Sequence, residues 1–187
     1  MKQPMRLSAV ALSCAILAGC AQTTPDIRIG GDDDPYAMQL MPAGKATCLA
    51  TSSSQNSHGA AATNAVRRNA GLPPVQPNAV LARVAAQHAC DMAQRGRMTH
   101  TGSRTKGPGP RVKAAGYAPM VTAENIAAGP YPLPRVLQEW NSSQGHRTNI
   151  MLPQVRDFGI GRAVGADGRT VYWSAVYAAP RQGPVRR

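Results

Sequence analysis

The tightest constraint on the fold lies in the last third of the chain. Residues 158–164 (FGIGRAV) and 170–178 (TVYWSAVYA) flank Ala166-Asp167-Gly168, and an Asp-Gly pair between two strand-forming runs is a hairpin signal. In the second run Val171, Trp173, Ala175 and Tyr177 fall on one face, and Tyr172 and Val176 on the other. A strand that is apolar on both faces must be covered on both sides. Helices therefore have to supply two layers around a sheet, and the expected class is a layered α+β domain.

The helices come earlier in the chain. Residues 60–70 are good helix formers ending at Gly71, with Pro73-Pro74 beyond as a stop. Pro77-Asn78 opens a second helix to about Gly96, whose stripe of Leu81, Val84, Ala85, His88 and Met92 falls at steps of three and four. Gly107-Pro108-Gly109-Pro110 reads as a break, with at most a short helix over 111–115. Residues 133–140 and 143–150 read as two further short helices, the second capped by Ser142 or Ser143. No internal repeat is visible.

The first 45 residues read differently. Lys2 and Arg6 precede an apolar run over 7–18 that is too short to span a bilayer and ends in small residues, the pattern of a secretory signal. Leu17-Ala18-Gly19-Cys20 resembles a bacterial lipobox, which implies cleavage before Cys20 and its acylation; the competing reading is ordinary cleavage with Cys20 left as a thiol. Ala21, a residue other than Asp after that cysteine, implies passage to the outer membrane if the source has one, and otherwise the outer face of its single membrane. Residues 20–45, with Asp32-Asp33-Asp34 and several Gly and Pro, lack apolar periodicity and read as a flexible tether. Residues 46–180 are then the globular domain, large enough for a core of its own, and 181–187 a basic tail.

With Cys14 lost and Cys20 lipidated, Cys48 and Cys90 are the remaining thiols of an exported chain, and a disulfide between them is expected. Closing a loop of roughly 43 residues stabilises the fold by about 4 kcal/mol on the chain-entropy estimate. The alternative is two buried, reduced cysteines. Charge is less specific. The chain carries 21 basic and 9 acidic residues, net +12, which suits contact with anionic envelope lipid or polysaccharide. With one Phe and scattered Tyr it offers no stacking platform, so nucleic acid is not an expected partner. A monomer is expected.

Three short words in fixed order carry the chemistry: Thr99-His100-Thr101-Gly102, Glu124-Asn125-Ile126-Ala127, and the run 140–151 (WNSSQGHRTNIM). They bring two imidazoles and one carboxylate from three separate segments, which is how a fold builds a polar cleft. His100 and His146 could ligate Zn²⁺ or another divalent ion through nitrogen, with Glu124 as third ligand or as an orienting group behind an imidazole. Alternatively a Glu-held His acts as general base toward water. Thr99, Thr101 and Ser143 show no nucleophile elbow or triad signature. Asn125, Ile126 and Trp140 are expected to be structural, Gly145 a tight backbone position, and Arg147 and Asn149 braces for the His146 loop. His88, on an apolar stripe, is expected to be a satisfied buried histidine.

The same words, with Phe158-Gly159-Ile160-Gly161 and Tyr172-Trp173, resemble the bacterial branch of the CAP superfamily, the cysteine-rich secretory, antigen 5 and pathogenesis-related 1 proteins or SCP domains. The resemblance covers residues 60–177 and implies an α-β-α sandwich with a central antiparallel sheet, including a strand near 121–127 that periodicity does not show. It also implies an open cleft lined by two His and two Glu. By motif these are His100, Glu124 and His146, but the second Glu position holds Ser143, and Glu139 lies one helix step off the required face. The cleft is thus expected to comprise His100, Glu124, His146 and Ser143. The expected function is a lipid-anchored binding module for a small envelope ligand, lipid or divalent metal, more in keeping with a non-enzyme and requiring no cofactor. A metal-assisted, peptidase-like hydrolase using Glu124, His100 and His146 is the alternative.

Overall fold

The computed structural model describes residues 34–181. The signal, Cys20 and most of the tail therefore lie outside the described residues. In chain order the elements are β1 (Met38–Gln39), β2 (Thr47–Cys48), α1 (Ser53–Asn69), β3 (Gln76–Pro77), α2 (Ala79–Arg95), β4 (Arg97–Met98), α3 (Pro108–Ala114), β5 (Pro119–Gly129), α4 (Leu133–Ser142), α5 (Gln144–Ile150), β6 (Asp157–Val164) and β7 (Val171–Pro180). The main sheet runs β2-β6-β7-β5, with β3 also paired to β6. Its long pairings, β5 with β7 and β6 with β7, are antiparallel, and the two-residue β3 is parallel to β6. The expected hairpin is β6-β7, its turn held by Asp167, whose side chain accepts from the backbone N–H groups of Arg169 and Thr170.

The two-faced strand is covered as its sequence requires. Trp173, Ala175 and Tyr177 pack into a core with Ala60 of α1, Val136 and Trp140 of α4 and Ile150 of α5. Val176 and Ala178, on the opposite face, meet Leu81, Val84 and Ala85 of α2 and Val112 of α3. The result is a sandwich of helices, sheet and helices. The α2 layer lies unusually close to β6: a Cβ built on Gly159 or Gly161 falls onto the α2 backbone at Leu81-Ala82 and Ala85-Ala86. Two glycines thus set the interlayer distance.

Helix ends follow local chemistry. Asn78 caps α2 by accepting from the Val80 and Leu81 N–H groups, and Gly96 closes it at φ 63°. Helix α1 starts at Ser53, not near Ala60, because Ser52 caps it by accepting from Gln55 N–H. Pro108-Gly109-Pro110, expected as a break, forms the first turn of α3. Proline suits that position because its missing N–H has no helical partner there. Ser143 precedes α5 without a side-chain cap bond, so the expected serine cap is absent.

Cys48 and Cys90 form the expected disulfide, with Cα atoms 5.1 Å apart, tying the edge strand β2 to α2. Residues 34–44 depart from the expected tether. Met38–Gln39 pairs with β4, the Leu40 and Met41 N–H groups donate to the Gly96 carbonyl, and the Gly44 N–H donates to the Gln94 carbonyl. This stretch is a strap laid along the end of α2. Its only periodicity is the short alternation Tyr36, Met38, Leu40, too brief to stand out among Asp, Pro and Gly.

Candidate functional site

The cleft opens where β5, α5 and the strap converge on the residue after Thr99. His100 follows β4, Glu124 sits in the middle of β5, and His146 lies in the first turn of α5. All three line one cavity of about 980 Å³ together with Ser143. The four side chains expected in the cleft are therefore brought together.

Glu124 is the buried centre of the cluster. Its Oε2 accepts from His100 Nδ1 at 2.9 Å, and the Arg111 guanidinium reaches both carboxylate oxygens at 2.7 Å. The Ser174 hydroxyl donates to Oε1 at 3.0 Å. His88 lies on the far side, its Nε2 3.7 Å from Oε2 and 2.9 Å from the Thr99 carbonyl oxygen. Burial alone would raise the Glu124 carboxyl; His88, the His100 hydrogen bond and Arg111 outweigh it and hold the group at about 2. Burial also drives His88 toward its neutral form, so Arg111 is the lasting counter-ion near neutral pH. His88 is buried and hydrogen-bonded, as its place on the apolar stripe suggested.

An ionised carboxylate can only accept, so His100 Nδ1 carries the proton and donates it to Glu124. That leaves Nε2, on a side chain about one-third exposed (32%), available to the cleft. Burial, and then the proximity of His100, lowers the pKa of His146. Its ring lies 6.3 Å from that of Trp140, and its Nδ1 is buried with no partner among the described residues. The motif neighbours act as braces: Asn149 donates to the Glu124 carbonyl and to Asn125 Oδ1, Asn125 donates to the His146 carbonyl, and Arg147 donates to the Asn141 carbonyl. Gly145 is not the tight position expected, since an added Cβ would meet nothing within 4 Å. It borders the open space of the cleft.

The donor set does not make a full zinc centre. Both Glu124 oxygens are engaged by Arg111, His100 and Ser174, so the carboxylate orients an imidazole from behind. Two imidazoles remain where a catalytic zinc site uses three protein ligands, and among the described residues no group of three His, Cys, Asp or Glu is placed to hold a metal. Glu139 turns away from the cleft into an ion pair with Arg135 on its own helix.

Sequence reasoning missed Arg111, Ser174 and Asp34. Asp34 is buried, accepting from the Thr99 hydroxyl at 2.7 Å, the His100 N–H at 2.5 Å and the Tyr36 N–H at 3.0 Å. It thereby fixes the backbone that carries His100. Arg111, which also donates to the His100 carbonyl, opens the stretch read as at most a short helix, directly after the expected break.

A helix-sheet-helix sandwich with a His-Glu-His cleft at the sheet's edge defines a recognisable class of domain. The cysteine-rich secretory protein family, CAP, matches residues 60–177, and the chain belongs to that family. YkwD of Bacillus subtilis strain 168, itself an uncharacterised protein, is 32% identical over 99 residues, which is 53% of this chain and 38% of that protein. The chain thus spans well under half of this curated relative. Among solved structures, an extracellular SCP-domain protein from Bacillus anthracis is 25% identical with a TM-score of 0.59, covering 67% of this chain and 40% of that one. An outer surface protein of Borrelia burgdorferi is similar in fold, at 19% identity and a TM-score of 0.62 over 74% of this chain and 99% of that one.

Proposed function

We propose that the protein is an exported, lipid-anchored CAP domain whose cleft binds a small envelope ligand, and that it acts by binding rather than by turnover. The observation that carries this is the saturation of Glu124: with both oxygens held, it is neither a free base nor a third metal ligand. What remains is a sizeable cleft with two imidazoles in its lining. Export and anchoring rest on the signal-like first residues and on Cys20. They are supported by kinship with a protein described as extracellular. No helix among the described residues is long and apolar enough to cross a membrane.

A divalent ion could be held by His100 and His146 with water completing its shell, and such binding should be weak. The hydrolase alternative draws on the His100–Glu124 pair, whose 2.9 Å contact suits a Glu-held general base. Two measurements test these readings. Zinc titrated into the full chain by calorimetry should show weak binding that disappears when His100 and His146 are both changed to Ala; unchanged affinity in that variant removes the metal reading. A peptide library should remain uncut, and turnover that vanishes in Glu124→Gln would overturn the binding-module reading.

A further inference from the structure

A second depression lies at the opposite edge of the sheet from the cleft, where β2 is the outermost strand. It is a groove of about 840 Å³ between α2 and the segment 48–57, which runs from β2 into the start of α1. It shares no lining residue with the cleft, and its 48–57 wall precedes the region matched to the family. The two walls are tied together. The Cys48–Cys90 disulfide joins them at one end, and at the other Asn56 Nδ2 donates to the carbonyl of Asn78, the cap of α2. The Thr51 hydroxyl donates to the Ile160 carbonyl, and the Ile160 N–H donates to Asn56 Oδ1, which fixes the wall to β6. A groove held in this way is preformed, so a ligand loses little in ordering it.

Its shape suits an extended chain. Along α2 the lining runs from Ala79 to Gln94, a helical rise of about 22 Å, which matches about six residues of extended peptide. Ala79, Ala82 and Ala86, at steps of three and four on α2, line it, and side chains this small let a main chain come close to the helix. The polar lining defines the partner. Arg83 and Gln87 stand one turn apart on α2, as Ser53 and Ser57 do on α1. None of these four side chains has a hydrogen-bond or ion-pair partner among the described residues. Asp91, the one carboxylate in the described lining, already accepts from Arg95 Nη2 at 2.8 Å and from the Ser103 N–H at 3.0 Å. Arg83 is therefore the unbalanced charge of the groove, and a guanidinium takes a carboxylate in a bidentate pair. The amide of Gln87 and the serine hydroxyls both donate and accept, as the N–H and C=O groups of a peptide main chain require.

We infer that this groove docks an extended acidic segment of a partner polypeptide, with an Asp or Glu carboxylate of the partner held by Arg83 and its main chain by Gln87, Ser53 and Ser57. The site is independent of the cleft and of what the cleft binds. It is tested by NMR titration of the isotope-labelled full chain with acetyl-Ala-Ala-Glu-Ala-Ala-Ala-amide, and with the same hexapeptide carrying Gln or Lys in place of Glu. The Glu peptide should shift amide signals over 48–57 and 79–94 and bind about tenfold more tightly than the Gln peptide, the difference expected of hydrogen bonds to a charged group. The Lys peptide should not bind. Arg83→Gln, at an exposed position, should abolish the preference for Glu over Gln, and Arg83→Glu should transfer it to the Lys peptide. Dextran sulfate, an anionic polysaccharide, is the control for charge without a peptide main chain. Equal binding of the Glu and Gln peptides by the unaltered chain, a preference that survives Arg83→Gln, shifts confined to the cleft, or dextran sulfate bound at the groove where the peptide is not, each overturns the inference. None of these outcomes touches the reading of the cleft, which falls instead to Glu124-dependent peptide turnover.

Discussion

Glu124 sets the charge balance of the cleft, and its burial makes the consequence measurable. Its carboxyl is held at about 2 instead of the ordinary 4.5, burial opposing and His88, His100 and Arg111 prevailing. A depressed carboxyl adds stability that is fully present above its unfolded pKa and is lost as pH falls through the folded value. The contribution, about 3 kcal/mol at neutral pH, should therefore fade between about pH 4.5 and pH 2. Glu124→Gln leaves Arg111 buried beside an uncharged amide, so the variant should be less stable by a comparable amount at pH 7, with the gap closing toward pH 2. Urea denaturation of both proteins across that range checks it, and a gap that stays constant with pH would refute the assignment. His100, Glu124 and His146 were legible because histidine and glutamate inside otherwise small or apolar words stand out. Their partners were not: Asp34 and Ser174 lie 66 and 50 residues from the groups they contact, and nothing local marks them.

The elements that periodicity does not show are β5 and the first turns of α1. Strand β5 escapes the period-2 test because Glu124 and Asn125, adjacent polar residues, are both buried in its middle, one in the charge cluster and the other against His146 and Tyr177. The first turns of α1 escape because Ser53 to His58 carry no apolar stripe, although Gly59 abuts the Phe158 ring. Helix α2 and the hairpin were readable, since their faces follow the helical and strand periods over many residues. Their close approach depends on Gly159 and Gly161, which can be tested directly. Gly161→Ala should push α2 away from β6 and lower the unfolding free energy by about 2 kcal/mol, within the range of overpacked cores. Gly145→Ala, on the open side of the cleft, should cost little. Chemical denaturation of the two variants distinguishes the cases, and equal costs would show that the interlayer distance is not set by the glycines.

Along the whole chain, a leader-like start precedes the strap and then the family domain. The strap emerges beside the cleft at Asp34, fourteen residues after Cys20, so a lipid on that cysteine would hold the cleft mouth within a short reach of the membrane surface. An extended chain covers at most about 3.5 Å per residue, setting the reach at about 50 Å. The net charge of +12 adds a second, weaker attraction toward anionic lipid, and the two should separate by their response to salt. Cys20→Ser should move the protein from the membrane to the soluble fraction of its host. The purified variant should still bind vesicles containing anionic lipid at about 0.01 M salt and release them near 0.15 M, as the Debye length contracts from about 30 Å to about 8 Å. Sedimentation with vesicles measures this. A Cys20→Ser protein that stays wholly membrane-bound in cells would refute anchoring through that residue, and salt-insensitive vesicle binding would show that apolar contact, not charge, holds the domain to the surface.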